Sequence, residues 1–524
     1  MARHDSARSF LVNRRGFLAA STSSLLVASR GWCGDEIVLS RPSLGGNPFT
    51  LGVASGDPDP HGFVIWTRLA PKPLEGGGMP GDAIAVRWEV ADDEGFQKIV
   101  SKGESIALPQ LAHSVHVEVD GLEPDRWYWY RFAVGEETSP VGHARTSPTI
   151  AAVPEKLRFA FASCQHFEAG LYTAYEHMAK EDLDLVIHLG DYIYEGRGKP
   201  GGVRQHVGEE IVSLEDYRTR HAQYKTDTLL QAMHARCPWL VAWDDHELDN
   251  NCAGAFSEES NVDPHAFLRR RANAYQAYYE HMPLRHRAIP TGPDMILYRR
   301  VRFGQLAEFN VLDTRQYRSD QPNGDGGKPL KDGALDPNQT MLGKKQEGWL
   351  YRGLLQSPCR WNVLAQQVMM ARVDFKPGDE GTFSMDQWSG CDAARNRLLD
   401  FIATRRVSNP VVLTGDIHSN WCNDLLVNFD DKEGKPVATE FVGTSITSGG
   451  NGGGRVAEAR SGVLAENPFV KFQNNERGYV SCTVTPKSWR TDYQVVEFVT
   501  KPGAALSTRA SFVVEHGQAG AHTA

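Results

Sequence analysis

DLVIHLGDYIY, residues 184–194, is an apolar run from Leu185 to Leu189 that stops at Gly190 and the carboxylate of Asp191, with a phenol three residues later at Tyr194. A short apolar run closed by glycine fits a buried strand, and the glycine lets the backbone turn sharply at its end. In open α/β sheets, ligands bind outside that carboxyl edge. Three other segments share the pattern. LRFAFASC ends at Cys164, PWLVAWDDHE ends at Asp244–Glu247, and NPVVLTGDIH ends at Asp416 and His418. Four strand ends thus present metal-competent side chains.

The donors fall into two halves. Asp191, Asp245 and Asp416 offer carboxylate oxygen, which suits a hard cation such as Ca²⁺, Mg²⁺ or Mn²⁺. Cys164, Tyr194 and His418 offer thiolate, phenolate and imidazole. A tyrosine pKa lies near ~10, so phenolate ligation at neutral pH needs a strongly Lewis-acidic ion. Ferric iron is the natural candidate, with zinc behind it. Asp191, central in the set, would bridge the two ions. Two metals roughly 3.5–4 Å apart clamp an in-line displacement at phosphorus, activating water and neutralising the equatorial oxygens. His246, beside Asp245, is placed to protonate the leaving alcohol or hold a phosphate oxygen.

Each residue alone has a plainer reading. A cysteine after an apolar run is usually a small buried hydrophobe. A tyrosine near a strand end is usually half-buried core, and an aspartate there often caps the next helix. His188, inside the apolar run, reads as a core histidine. The inference rests on four such ends occurring together.

Around these segments the chain divides by pattern. Asn13-Arg14-Arg15-Gly16-Phe17-Leu18, followed by a mild apolar run, resembles a twin-arginine signal peptide occupying residues 1–34. The small residues of a lipoprotein signal are missing before Cys33, so no lipid anchor is expected. Removing Cys33 leaves seven of eight cysteines, an odd number for an oxidising compartment. Residues 46–149 alternate apolar and polar positions in VIWTRL, AIAVRWEV, HSVHVEVDGL and WYWYRFAV, separated by turn signals. This predicts a β-sandwich of immunoglobulin or fibronectin type, with the aromatic cluster at 127–130 in its core. Residues 152–505 alternate strands with longer helical stretches. Helices are expected over Leu214–Ala235 and over Pro264–His281, whose arginines read as a solvated face. The net charge of −9 disfavours a nucleic-acid-tracking surface, and no stretch reaches the roughly 18–20 apolar residues of a membrane span.

GDYIYE (190–195), WDDHE (243–247) with Asn250-Asn251, and GDIHS (415–419) resemble the alkaline phosphatase D (PhoD-like) family. So do SCQ (163–165), DTRQYR (313–318), WNVLAQQ (361–367) and FVGTSITSGG (441–450). The resemblance implies an α/β calcineurin-like metallophosphoesterase core, two facing β-sheets flanked by helices, behind an N-terminal β-sandwich. It also implies an iron–calcium site, with Cys164, Asp191, Tyr194 and His418 on Fe³⁺ and Asp191, Asp245 and Asp416 on Ca²⁺. In the wider superfamily the position of Asp245 is usually Asn in a Gly-Asn-His motif, which makes Asn250 and Asn251 alternative ligands. His246 matches the catalytic histidine of that motif. Arg315 and Asn420 are expected near the substrate pocket.

The expected activity is that of an exported, periplasmic or extracellular alkaline phosphatase that cleaves phosphomonoesters and some diesters. Its hydroxide nucleophile is held on metal, and no covalent enzyme intermediate forms. The nearest rival is a phospholipase D-like phosphodiesterase acting on phospholipids. An exported adhesive protein with a degenerate site is a rival of another class. A serine hydrolase is disfavoured, because Ser445 and Ser448 lack a G-x-S-x-G elbow.

Overall fold

The computed structural model describes residues 39–40 and 46–524 apart from 377, 379, 432 and 454–456, with side chains undescribed at 39–40 and 457–461. The expected signal at 1–34 lies outside the described residues.

Two large sheets form the body. In the first, Leu157–Ala162, Leu185–His188 and Trp239–Val241 run parallel. In the second, Ala307–Val311, Trp361–Ala365, Pro410–Thr414 and Ala438–Val442 run parallel. These strands are buried along their length because both faces are covered, and the polar residues among them, such as Glu308, Asn310 and Glu440, are buried too. One continuous core holds Phe159, Val186 and Ile187 from the first sheet with Phe309, Val363 and Leu413 from the second. Phe159 meets Phe309 edge-on, with centroids 5.3 Å apart. The sheets therefore face each other. Leu350, Leu354, Leu398 and Leu399, from helices Gly343–Gln356 and Asp392–Arg405, cover the outer face of the second sheet.

The N-terminal region contributes a six-stranded sheet that includes Ala83–Ala91 and Trp127–Val134. Its other strands, Val53–Asp59, Gly62–Arg68 and Ser114–Val119, form the facing layer of the expected β-sandwich, packing Phe63, Ile65 and Val117 with Val86, Tyr130 and Phe132. They extend the first large sheet to ten strands through the pairing of Gly56 with Trp239. Glycine is required there: a Cβ on Gly56 would stand 2.5 Å from the Pro283 carbonyl and 2.8 Å from that of Trp239. The aromatic cluster splits by alternation. Tyr128 and Tyr130 are buried, whereas Trp127 and Trp129 flank His143, with centroids 4.2 and 4.8 Å from it.

Two helical expectations need correction. The stretch 214–235 is two helices, Leu214–Lys225 and Thr228–Arg236, because the Asp227 carboxylate accepts the Leu229 and Leu230 N–H groups and starts a new helix. Pro264–His281 is one helix capped by Asp263. Its Arg270 and Arg271 are buried rather than solvated: Arg270 pairs with Asp249 at 3.0 Å and Glu210 at 2.9 Å. The seven described cysteines are all buried free thiols.

Candidate metal centre

Because the central strands of each sheet run parallel, their carboxyl ends gather at one edge. Ser163, just past the first strand, bridges Ser445, just past Ala438–Val442, and so ties the two sheets together there. Four residues at this edge adopt left-handed backbone conformations without being glycine: Cys164 (φ 59°), Asp191 (56°), Asp416 (65°) and His418 (57°). Such residues cost about 1–3 kcal/mol each and persist only where their surroundings hold them. Cys164 N–H donates to the Gly190 carbonyl at 3.1 Å, Gln165 N–H to that of Asp191 at 3.0 Å, and Ser448 N–H to that of Cys164 at 3.2 Å. Gly190 and Gly415 let the loops close. A Cβ on Gly190 would lie 2.4 Å from Asp244 Cβ, and one on Gly415 would lie 2.6 Å from Ser163 Oγ.

This strain turns the side chains toward each other. Three sets each place their donor atoms within 4.8 Å: Cys164, Asp191 and His418; Asp191, Asp245 and His246; and Asp244, Asp245 and Asp416. Asp191 belongs to the first two sets and Asp245 to the last two, so the carboxylates link them in a row. Tyr194 joins at the first, its hydroxyl 2.8 Å from Asp191 Oδ2, 3.2 Å from His418 Nε2 and 2.6 Å from Ser448 Oγ. Ser448 also donates to the Cys164 carbonyl, so it orients ligands rather than acting as a nucleophile.

The donor set fits cations. Among the described residues, Asp191 Oδ1, Asp244 Oδ2 and Asp245 Oδ1 are buried and accept no hydrogen bond, the last standing 3.7 Å from Arg315 Nη2, although buried polar atoms are nearly always satisfied. Burial, then the charge of Asp191, pushes the Cys164 thiol and the Tyr194 phenol well above their usual ranges. Protein groups alone therefore leave both protonated, and only a cation makes them anionic ligands. At Asp416 burial outweighs Arg315 and pushes the carboxyl up to about 7.

Around the donors stand residues that sequence patterning did not assign. His246 Nδ1 lies 2.7 Å from Glu195 Oε2. Burial disfavours its charge, but the Glu195, Asp245 and Asp191 carboxylates overcome that and raise its pKa well above the usual value. Glu247 accepts Asp191 N–H at 3.0 Å and Asp244 N–H at 2.7 Å, clamping two strand ends together. His166 leans on the Tyr194 ring at 4.4 Å, and burial lowers its pKa to about 4. Glu195 and Glu247 lie inside GDYIYE and WDDHE, whereas His166 falls one residue past SCQ and carried no signal in the sequence.

Arg315 and Asn420 do not line a substrate pocket. The Arg315 guanidinium is 1% exposed and bonds Asp244, Asp386 at 2.7 Å and Asp416 at 3.2 Å. Asn420, fully buried in the strand Asn420–Leu425, accepts Thr444 N–H. Nor do Asn250 and Asn251 take the place of Asp245. Asn250 turns out to Glu258, and Asn251 reaches Asp325 while its backbone N–H donates to Asp245 Oδ2 at 2.7 Å. His188 is fully buried and stacks on Trp239 with both ring nitrogens unpartnered.

Residues 159–493 match the family described as PhoD-like phosphatase, and residues 36–148 match its N-terminal domain. Alkaline phosphatase D of Bacillus subtilis is 56% identical over 488 residues, which is 92% of this chain and 83% of that protein. A solved structure described as that of PhoD superposes with a TM-score of 0.90 at 55% identity, covering 92% of this chain and 93% of the other. Purple acid phosphatase 23 of Arabidopsis thaliana is 24% identical over 227 residues, 38% of this chain and 48% of that protein.

Proposed function

The chain belongs to the PhoD-like phosphatase family, and from that premise we propose that this phosphate-ester hydrolase works through an iron–calcium cluster on the strand-end residues. Hydrolysis of phosphate esters itself follows from the family and its 56%-identical relative. In the proposal, Cys164, Asp191, Tyr194 and His418 hold Fe³⁺, and Asp191, Asp245 and Asp416 hold Ca²⁺. The observation that carries it is the row of three donor sets joined through Asp191 and Asp245, with unpartnered carboxylate oxygens inside it. Thiol and phenol suit the more Lewis-acidic ion, and the all-carboxylate end suits the hard one. When bound, such a pair activates water and neutralises the charge of the phosphoryl group in flight.

The protein supplies the rest. Glu195 holds His246 by Nδ1 and keeps the ring protonated, leaving Nε2–H to donate to the oxygen of the departing alcohol. Arg315 takes one oxygen of Asp244 and pairs with Asp386 and Asp416 as well, offsetting part of the repulsion among the crowded carboxylates. Ser448 and Asp191 fix the Tyr194 hydroxyl. Monoesters are the main substrates and some diesters are cleaved as well. The Arg14-Arg15 pair supports export by the twin-arginine machinery, to the periplasm or outside the cell.

Metal analysis with a visible spectrum, on wild type and Cys164→Ala, tests this reading. Wild type should carry iron and calcium and be coloured by tyrosinate-to-iron charge transfer. Cys164→Ala should keep the fold and lose iron, colour and turnover. Wild-type turnover in the variant, or a colourless iron-free enzyme of full activity, would sink it.

A further inference from the structure

Beside the Asp416-Ile417-His418 loop opens a pocket of about 310 Å³, at the small end of the ~300–1,000 Å³ range of ligand sites. It adjoins the metal centre through Gln387, which lines it and whose Nε2 donates to Asp416 Oδ2. An ester with phosphorus over Asp416 and His418 thus has this space for its alcohol. Among the described residues, every side chain lining it is uncharged.

One wall is apolar. The Phe375 ring is 37% exposed and sits edge-on to Trp421, with centroids 6.1 Å apart. Trp421 is itself fixed by its Nε1–H bond to Ser419 Oγ at 2.8 Å. The other wall carries Ser384, Gln473 and Asn475. Gln473 Nε2 donates to Asn475 Oδ1.

We propose that this pocket is the leaving-group subsite and that it takes one neutral, polyhydroxylated ring, the sugar of a sugar phosphate. Amides and hydroxyls both donate and accept, as sugar hydroxyls do. The aromatic wall matches the C–H face of such a ring. A carboxylate or second phosphate would be desolvated here with no cation to pair it. Water oxygen forms the new bond to phosphorus, the P–O bond to the sugar breaks, and the sugar oxygen takes the proton, releasing sugar and inorganic phosphate.

This rests on the phosphatase reading, so the test separates the two. Values of kcat/KM are measured for glucose 1-phosphate, glucuronic acid 1-phosphate and methyl phosphate on the metal-loaded wild type, Phe375→Ala and Asn475→Ala. The first two substrates differ only by a carboxylate in place of a hydroxymethyl group. Wild type should favour glucose 1-phosphate over glucuronic acid 1-phosphate by roughly tenfold or more. Each substitution should shrink the preference for glucose 1-phosphate over methyl phosphate, chiefly through KM. Equal use of the two sugar phosphates, or ratios unmoved by both substitutions, would overturn the subsite. Failure to hydrolyse any of the three, or p-nitrophenyl phosphate, would overturn the phosphatase reading beneath it.

Discussion

Glu195→Gln isolates what the carboxylate behind His246 contributes to turnover. Gln preserves size and can still accept the Nδ1–H, so the substitution removes the charge together with the one bond that Glu195 Oε1 accepts from Asn250 N–H at 3.1 Å. The contact is 2.7 Å long, between side chains that are 18% and 11% exposed, so solvent screens it weakly. A hydrogen bond to a charged group contributes about 1.5–3 kcal/mol, against about 0.5–1.5 kcal/mol for the neutral bond that Gln leaves. The difference, about 1–2 kcal/mol, is roughly a tenfold change in the ratio of imidazolium to imidazole at a fixed pH. Loss of a positive partner's counter-charge lowers the pKa, so less of the acid survives at alkaline pH. The alkaline limb of kcat/KM should therefore move down by about one pH unit, with Asp245 and Asp191 still holding the remainder of the elevation. The assay is a pH–rate profile on two esters, methyl phosphate and p-nitrophenyl phosphate. An alkoxide leaves only with a proton, whereas nitrophenolate needs little help, so the variant should lose far more on methyl phosphate. A uniform drop in kcat with the limb in place would mean that Glu195 merely packs against His246. Equal losses on both esters would refute proton donation by His246.

Three further outcomes follow from the same geometry. Arg315→Met strands Asp244 in the interior without a cation, while Asp386 keeps Arg318 at 2.9 Å; breaking a buried pair in this way costs about 3–5 kcal/mol, so the urea midpoint should fall sharply, and an unchanged midpoint would contradict the tether. Gly190→Ala puts a Cβ 2.4 Å from Asp244 Cβ at a φ of +108°; it should cost about 1–3 kcal/mol and lower metal content, read by calorimetry and metal analysis together. Lys225 is fully enclosed against the Trp66 ring at 4.4 Å, and burial lowers its pKa from 10.5 to about 7. Between those values the unfolded chain binds a proton that the folded one does not, so stability rises with pH across that window. Lys225→Met should raise the unfolding midpoint at neutral pH and flatten this rise, whereas parallel curves for variant and wild type would disprove the buried neutral amine.

What the sequence made legible here is what local backbone chemistry writes down. A strand buried on both faces favours an apolar run, and glycine permits the turn at the carboxyl end of two of them, so HLGD and LTGD announced themselves, whereas FASC turns at Cys164 without one. The helix start at Asp227 was written in the same language, as a carboxylate before two free N–H groups, but the amphipathic spacing on either side hid it. Nothing local could reveal Arg315, which sits 71 residues from both Asp244 and Asp386 and meets them only through the tertiary fold. Its appearance in DTRQYR suggested an exposed binding residue, since isolated arginines are mostly solvated; the fold instead spends its charge inside. The same holds for Arg270, whose helix read as a polar face until Asp249 was folded onto it. Charges that hold a site together are thus the part least visible in a sequence, because a buried ion pair has no periodicity and each partner alone looks like surface. The donor side chains are different: their backbone must be strained to converge, and the glycines that permit this lie one residue away in Gly190-Asp191 and Gly415-Asp416. Strand-end Gly-Asp pairs were therefore the signal that the chain could not avoid displaying.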